Sequence, residues 1–323
     1  MTLKTKNPSV AIVIISWNGL EDTLNCLASL QRLDYPNWRA VLVDNGSQDD
    51  TVRIVREHFP AIHTIANPSN HGYARGNNQG IRWALDAGAD WIMLLNNDVI
   101  LASDALSEMI RITESDPTIG IVGPVMQRTL RADIQDLGGD LDFRWGRVLL
   151  RRREDASTDK DYHLIDYVWG CTLMAKRDIF ARTGGLRTFY TAYFEDAELC
   201  LAARRFGFKT AVALRAKVLH HVGRSGEKRF IWQTYLRTRN HALFFLRFAR
   251  PTHWPTLLPS LLLAQLPMIL LRATLLYLAR KFRRRKYQGR EIKLWGYSRQ
   301  VAPPSAEQID QWLEAAKQRP YRP

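Results

Sequence analysis

The stretch Trp91-Ile-Met-Leu-Leu-Asn-Asn-Asp98 constrains this chain most, because five apolar residues without alternation end abruptly in Asn96, Asn97 and Asp98. A run of that kind reads as a strand buried on both faces, as in a parallel sheet covered by helices. Such strands present ligand-binding groups at their carboxyl ends. A carboxylate there can hold Mg2+ or Mn2+, which take one or two protein carboxylates and fill the rest of their shell with phosphate oxygens and water. A plain polar turn is the competing reading of Asn-Asn-Asp, and the rest of the chain decides between the two.

Other segments supply the context. Val10 to Ser16 is an apolar strand, and Leu20, Leu24, Leu27 and Leu30 have helical spacing within Leu20 to Leu33. Arg39 to Asp44 is the next strand, followed by a helix with Asp49 or Asp50 as N-cap. Ala61 to Ala66 is a third strand, and a Gly-rich loop from Asn67 to Asn78 opens a helix running to about Ala87. Strand-helix alternation with short connections predicts an α/β class, a doubly wound and mainly parallel sheet. Ser16-Trp-Asn-Gly19 follows the first strand where a dinucleotide site would have Gly-x-Gly-x-x-Gly, so NAD binding is not supported. The acceptor-rich strand ends at Asn18, Asp44-Asn45, Asn67 and Asn96 to Asp98 are expected to converge along one edge. Asp44 suits a base N–H or a ribose hydroxyl, with a turn-forming Asx role as the alternative. Further on, Ile119 to Met126 and Val168 to Ala175 read as strands, with a hairpin or flap between Arg128 and Lys160.

Glu195, Asp196 and Glu198 open a helix running to Phe206. Acidic residues at a helix N-terminus are favourable with the macrodipole alone. That explains less well why two adjacent acids follow Tyr193 and Phe194. His220 and His221 close the run Lys217-Val-Leu-His-His, and neutral imidazole is a ligand type suited to Mn2+.

Six motifs in order carry a resemblance. They are Ile14 to Gly19, Val43 to Asp49, Gly72-Tyr-Ala-Arg-Gly-Asn-Asn-Gln-Gly-Ile81, Leu94 to Asp98, Phe194 to Leu201 and His221-Val-Gly-Arg-Ser225. Together they resemble the family 2 glycosyltransferases, most closely the rhamnosyltransferase-like branch, over roughly residues 8 to 248. The resemblance implies a GT-A fold, a nucleotide-diphosphate sugar donor, Mg2+ or Mn2+, and transfer with inversion. It implies that Asp44 contacts the pyrimidine base with Arg75 nearby, and that Ser16, Asn18, Asn45, Asn77, Asn78 and Asn97 complete the nucleotide-sugar site. Asp98 would be the metal-binding carboxylate; Asn96 stands where the family often has an Asp. The second acid of the pair, Asp196, would be the catalytic base, with Glu195 beside it on acceptor hydroxyls. Trp169 and Gly170 would form the acceptor-side wall, with core as the alternative for Trp169. The His before Val-Gly-Arg-Ser favours His221 as a metal ligand, while spacing from the base also allows His220. The base takes the acceptor proton as its oxygen attacks the sugar carbon. With no Ser-His-Asp or Cys-His set in view, a single displacement is the simplest account.

Charge separates the chain into two parts. Lys and Arg number 46 and Asp and Glu 32, a net of +14. Between Lys228 and Arg290 there are fourteen Lys and Arg and no acid, so everything outside that segment sums to zero (32 basic against 32 acidic). Residues 1–227 are therefore expected to form the catalytic domain, and 228–323 a basic, apolar helical segment. Arg239-Asn240 within it is similar to a pair common after the family's catalytic domain. Trp254 to Leu278 is strongly apolar but interrupted by Pro255, Pro259, Pro267 and Arg272, which favours an interfacial or re-entrant helical pair over a simple span. The cluster Arg280-Lys-Phe-Arg-Arg-Arg-Lys286 follows it and suits an anionic membrane surface. No RNA- or DNA-binding module accompanies the cluster, so no nucleic-acid partner is expected. Three scattered cysteines and a polar start with no signal peptide suit the cytoplasmic face of the plasma membrane, with the chain peripheral or re-entrant. The expected acceptor is a lipid-linked or cell-envelope glycan. The rival readings are a nucleotidyltransferase-like enzyme and a non-catalytic membrane- or nucleic-acid-binding protein on an α/β scaffold.

Overall fold

A computed structural model describes residues 7–128, 131–156, 159–221 and 230–287. The tail of the His221 to Ser225 motif, the side chains of the Arg280 to Lys286 cluster, and residues 288–323 lie outside the described residues. The described chain divides into two units.

The first unit is built on a mixed sheet in the order β3-β2-β1-β4-β10-β6-β11-β5. Its amino-terminal half is doubly wound: β1 (Val10–Ser16), α1 (Leu20–Leu30), β2 (Trp38–Asp44), α2 (Thr51–His58), β3 (His63–Ala66), α3 (Tyr73–Asp86) and β4 (Trp91–Asn96). Strands β3, β2, β1 and β4 are parallel. All seven residues of β1 and the first five of β4 are buried, which is why neither alternates in polarity. The remainder adds β5 (Val99–Leu101), α4 (Ala105–Ser115), β6 (Ile119–Arg128), β7 (Arg131–Asp142), β8 (Arg147–Arg152), β9 (Tyr162–Leu164), β10 (Thr172–Lys176), α5 (Arg177–Thr183), α6 (Glu195–Arg205) and β11 (Lys209–His220). Strand β10 runs antiparallel to both β4 and β6, and β5 antiparallel to β11. The parallel character therefore belongs mainly to the first half.

Helix α3 begins at Tyr73, several residues earlier than its glycines suggest. Those glycines serve packing: a Cβ on Gly80 would stand 2.2 Å from Val13 Cγ1, and one on Gly76 would stand 2.6 Å from Ile15 Cδ1. Glycine inside a helix costs about 1 kcal/mol against alanine, and here it lets α3 lie directly on β1.

The second unit comprises the hairpin turn Leu141–Val148 and the helices α7 (Phe230–Phe248), α8 (Trp254–Ser260) and α9 (Leu266–Tyr287). Phe143 packs against Phe244 and Phe245, while Thr256 Oγ1 and Ser260 Oγ donate to the carbonyls of Arg144 and Trp145 at 2.8 and 2.7 Å. The expected helical pair is not formed. A π-helical turn, Leu261–Gln265, joins α8 to α9 into one unbroken run, with Leu266 N–H bonded to Leu261 O. Pro255 sits in the first turn, where its missing N–H costs nothing, and the π turn absorbs the lost donor of Pro267. Among the described residues, Pro251–Leu275 is the one helical stretch long and apolar enough to cross a membrane. Much of it is exposed, including Leu258, Leu262, Leu263, Leu270 and Leu271.

Candidate active site

The carboxyl ends of β1, β2 and β4 carry a network of short polar side chains. Asp44 accepts from Ser47 N–H at 2.9 Å through one oxygen and from Ser47 Oγ at 2.5 Å through the other, an Asx-type turn. Asn18, at φ +50°, accepts from Gln48 N–H at 2.7 Å, and its own N–H donates to Ser47 Oγ at 2.8 Å. Asn45 accepts from His71 N–H at 3.0 Å and donates to Gly72 O at 3.2 Å, tying the loop after β3 to β2. Ser16 Oγ pairs with Thr23 Oγ1 at 2.9 Å, and Asn97 Nδ2 donates to Thr23 Oγ1 at 3.0 Å. A side chain at Gly19 would stand 2.6 Å from Asn97 Nδ2, so glycine keeps that contact open. These loops are ordered by one another.

On α3 the three expected residues separate. Arg75 is exposed. Asn77 is fully buried, with Nδ2 on Tyr73 O at 3.0 Å and Oδ1 without a hydrogen bond. Asn78 is paired with the Leu186 backbone in both directions, at 2.8 and 2.7 Å, which joins α3 to the segment after α5.

After β4 the chain turns through Asn97 and Asp98 into β5. Asn96 Oδ1 and Asp98 Oδ1 are both buried without a hydrogen bond. His220 Nε2, at the end of β11, lies 3.3 Å from Asp98 Oδ1 but outside hydrogen-bond geometry. Antiparallel pairing of His220 with Val99 brings it there. His221 holds the same turn through its backbone, donating to Asp98 O at 2.8 Å, while its Nδ1 stands 3.9 Å from Asp22 Oδ1. The motif favoured His221 and spacing also allowed His220; it is the His220 side chain that stands next to Asp98, since alternation along a strand separates the two. A carboxylate oxygen and an imidazole nitrogen facing each other, beside a second bare oxygen, fit a divalent cation of the Mn2+ type. No cluster of three His, Cys, Asp or Glu stands among the described residues, so such an ion would complete its shell from substrate and water.

The acid pair opens α6 after a strained loop. Thr191, Tyr193 and Phe194 all have φ between +65° and +76°, a region non-glycine residues rarely occupy. Asp196 Oδ2 accepts from Gly170 N–H at 2.9 Å, and Oδ1 from Ala197 N–H at 2.8 Å. Glu195 is buried, with Oε2 lacking any hydrogen bond. Burial and the neighbouring Asp196 charge push the Glu195 carboxyl well above its ordinary range. Burial raises Asp196 as well, but the Gly170 and Ala197 N–H groups oppose the shift. The two N–H groups thus favour the charged form of Asp196, while burial and the neighbouring acid favour the neutral form of Glu195. Trp169 packs edge-on against Tyr167, with centroids 5.8 Å apart. A Cβ on Gly170 would stand 3.0 Å from Asp196 Cβ and 3.1 Å from its Oδ2, so a side chain there would push the carboxylate aside by a few tenths of an ångström.

An open α/β sheet that gathers polar groups at its strand ends defines a class of ligand-binding enzymes. Within that class the chain belongs to the family described as Glycosyl transferase family 2, whose model matches residues 11–184. It is a glycosyltransferase. It is 25% identical over 245 residues to a low-salt glycan biosynthesis hexosyltransferase of Haloferax volcanii, covering 74% of this chain and 76% of the relative. It is 25% identical over 223 residues to an N-acetylglucosaminyl-diphospho-decaprenol L-rhamnosyltransferase of Mycobacterium tuberculosis, covering 62% and 71%. Among solved structures it is similar to a mannosyltransferase of Pyrobaculum calidifontis in complex with GDP-Man and Mn2+, with TM-score 0.57, 19% identity and coverage of 97% and 86%. GalNAc-T7 with UDP, GalNAc and Mn2+ matches with TM-score 0.59 and 14% identity, covering 77% of this chain and 49% of that one. These likenesses establish the GT-A fold.

Proposed function

We propose that this chain transfers a hexose or deoxyhexose from a nucleotide-diphosphate sugar to a lipid-linked or cell-envelope glycan, with inversion and by single displacement. The observation that carries the reading is the seating of Asp196: a carboxyl whose two oxygens accept from the Gly170 and Ala197 N–H groups, beside a second, buried acid, Glu195. Asp196 takes the acceptor hydroxyl proton as that oxygen bonds to the anomeric carbon. The bond from that carbon to the diphosphate oxygen breaks, and its electron pair leaves with the nucleotide. Glu195 and the Trp169-Gly170 wall bind the acceptor. Ser16, Asn18, Asp44, Asn45, Arg75, Asn77 and Asn97 line the donor side, Asn18 and Asn45 mainly by shaping the loops. Asn78 belongs to the scaffold on this reading.

Asp98 and His220, with Asn96 beside them, would hold Mg2+ or Mn2+. A bound cation neutralises the charge that develops on the leaving diphosphate. His221 supports the turn through its backbone.

The lipid-linked acceptor of the mycobacterial relative, the exposed apolar run in Pro251–Leu275 and the acid-free basic segment support attachment to an anionic membrane, on this reading at its cytoplasmic face. On this division residues 1–227 catalyse and 228–323 attach. High salt should loosen the full chain from anionic vesicles, and removal of residues 251–323 should abolish binding. Equal pelleting of the shortened chain would refute the attachment.

Thermal shift against a panel of nucleoside diphosphates and nucleotide sugars with Mn2+ tests the donor reading. Selective stabilisation by one nucleoside is expected, because only a ligand that binds the folded state raises the melting temperature. No stabilisation by any member of the panel would sink it.

A further inference from the structure

Tyr73 is the first residue of α3 and stands far in sequence from the acid pair. Its Oη donates to Gly170 O at 2.8 Å, and Gly170 N–H donates to Asp196 Oδ2 at 2.9 Å. One glycine is thus gripped at its carbonyl by the phenol and offers its N–H to the carboxylate. Gly170 has no Cβ to resist rotation, and one added there would press on Asp196 at 3.0 Å. Something outside the residue must fix its peptide planes, and the phenol does so. The start of α3 is in turn anchored to the loop before α6, with Ala74 N–H on Thr191 O at 3.2 Å.

We infer that Tyr73 is a positioning residue for the reaction, holding Gly170 so that its N–H aims and charges the Asp196 base. The inference rests on the reading of Asp196 as base. Burial, with the neighbouring acidic groups behind it, pushes the Tyr73 phenol far above its ordinary range, so it stays a donor. The other titratable groups whose charges reach this corner are Glu195 and Cys200 on α6, Tyr167 and Cys171 ahead of β10, and Asp98 after β4. None of them bonds the Gly170 carbonyl.

Tyr73→Phe fills the same space without the hydroxyl. It should leave nucleotide affinity unchanged and lower kcat by about tenfold, the scale of one lost hydrogen bond. The acidic limb of kcat/KM should move to higher pH by about half a unit or more, because the Gly170 N–H that favours the charged form of Asp196 is no longer held in line. A merely structural role would reduce the active fraction without moving that limb. Fluorotyrosine placed at position 73 alone, a stronger donor of almost the same shape, should move the limb the other way and guards against a Phe variant that fails to fold. A limb unmoved in both proteins, while Asp196→Asn loses turnover, overturns the positioning role alone. An Asp196→Asn variant with full turnover overturns the base assignment beneath it.

Discussion

At the carboxyl ends of β1 and β2 almost every polar side chain is bonded to a neighbour, whereas at the start of α6 Glu195 keeps a buried oxygen without a partner. The donor side is built before any ligand arrives: Asn18, Asp44 and Asn45 spend much of their bonding capacity on the loops that carry them. The acceptor side stores unfavourable terms instead. It has three non-glycine residues at positive φ, two adjacent acids raised by burial, and a carboxylate pressed close against Gly170. Donor affinity is expected to come from preformed loops, and chemistry from a corner that folding alone would not favour. The turn at Asp98 shares features of both, with oxygens left bare as at Glu195 but on a strand end as at Asp44.

Substitutions can break this contrast at several places. Asp98→Ala should have the largest effect, reducing transfer to background and removing the Mn2+ dependence of nucleotide binding while the fold persists. Unchanged activity under limiting Mn2+ would remove Asp98 from the metal site. His220→Ala should weaken the apparent Mn2+ affinity by about tenfold or more, with His221→Ala well behind it. The reverse order in a Mn2+ titration would return the ligand role to His221. Asn78→Ala sharpens the comparison from the donor side, because it leaves the Leu186 N–H and carbonyl without their partner. Denaturant unfolding should show a loss of about 1–3 kcal/mol with nucleotide affinity unchanged. A weakened nucleotide affinity at full stability would restore Asn78 to the site.

The smallest effect is a gain. The Glu195 carboxyl is raised in the folded protein and ordinary in the unfolded chain, so the folded state binds the extra proton. Stability is therefore lost as pH climbs above the ordinary carboxylate range of about 4.3. Glu195→Gln removes that cost and should melt higher than the parent at neutral pH, with the two curves converging towards acid pH. Parallel melting curves across that range would show that Glu195 ionises normally.

Much of the donor side was legible because β1 and β4 are buried on both faces, which writes itself as unbroken apolar runs. The start of α3 was not, since Gly76 reads locally as loop and only its approach to Ile15 shows why a glycine sits inside the helix there. The antiparallel direction of β10 depends on pairing with β4, which local pattern does not record. Adjacent histidines are equivalent in a string, and the register of β11 against β5 tells them apart. Tyr73 escaped because its partner, Gly170, is 97 residues away. The only local signal was its place at the head of a motif. The unbroken run through Leu261–Gln265 was hidden by prolines that a π turn accommodates.

The central claim is that Asp196, not Glu195, is the base. Turnover of Asp196→Asn and Glu195→Gln measured with saturating acceptor tests it most directly. Asp196→Asn keeps the shape but cannot take the proton, so kcat should fall by at least about 10² while donor affinity holds. Glu195→Gln should raise the acceptor KM more than it lowers kcat, because the residue mainly binds. If Asp196→Asn retains most of its kcat and Glu195→Gln loses it, the base is Glu195 and the account of this corner is wrong.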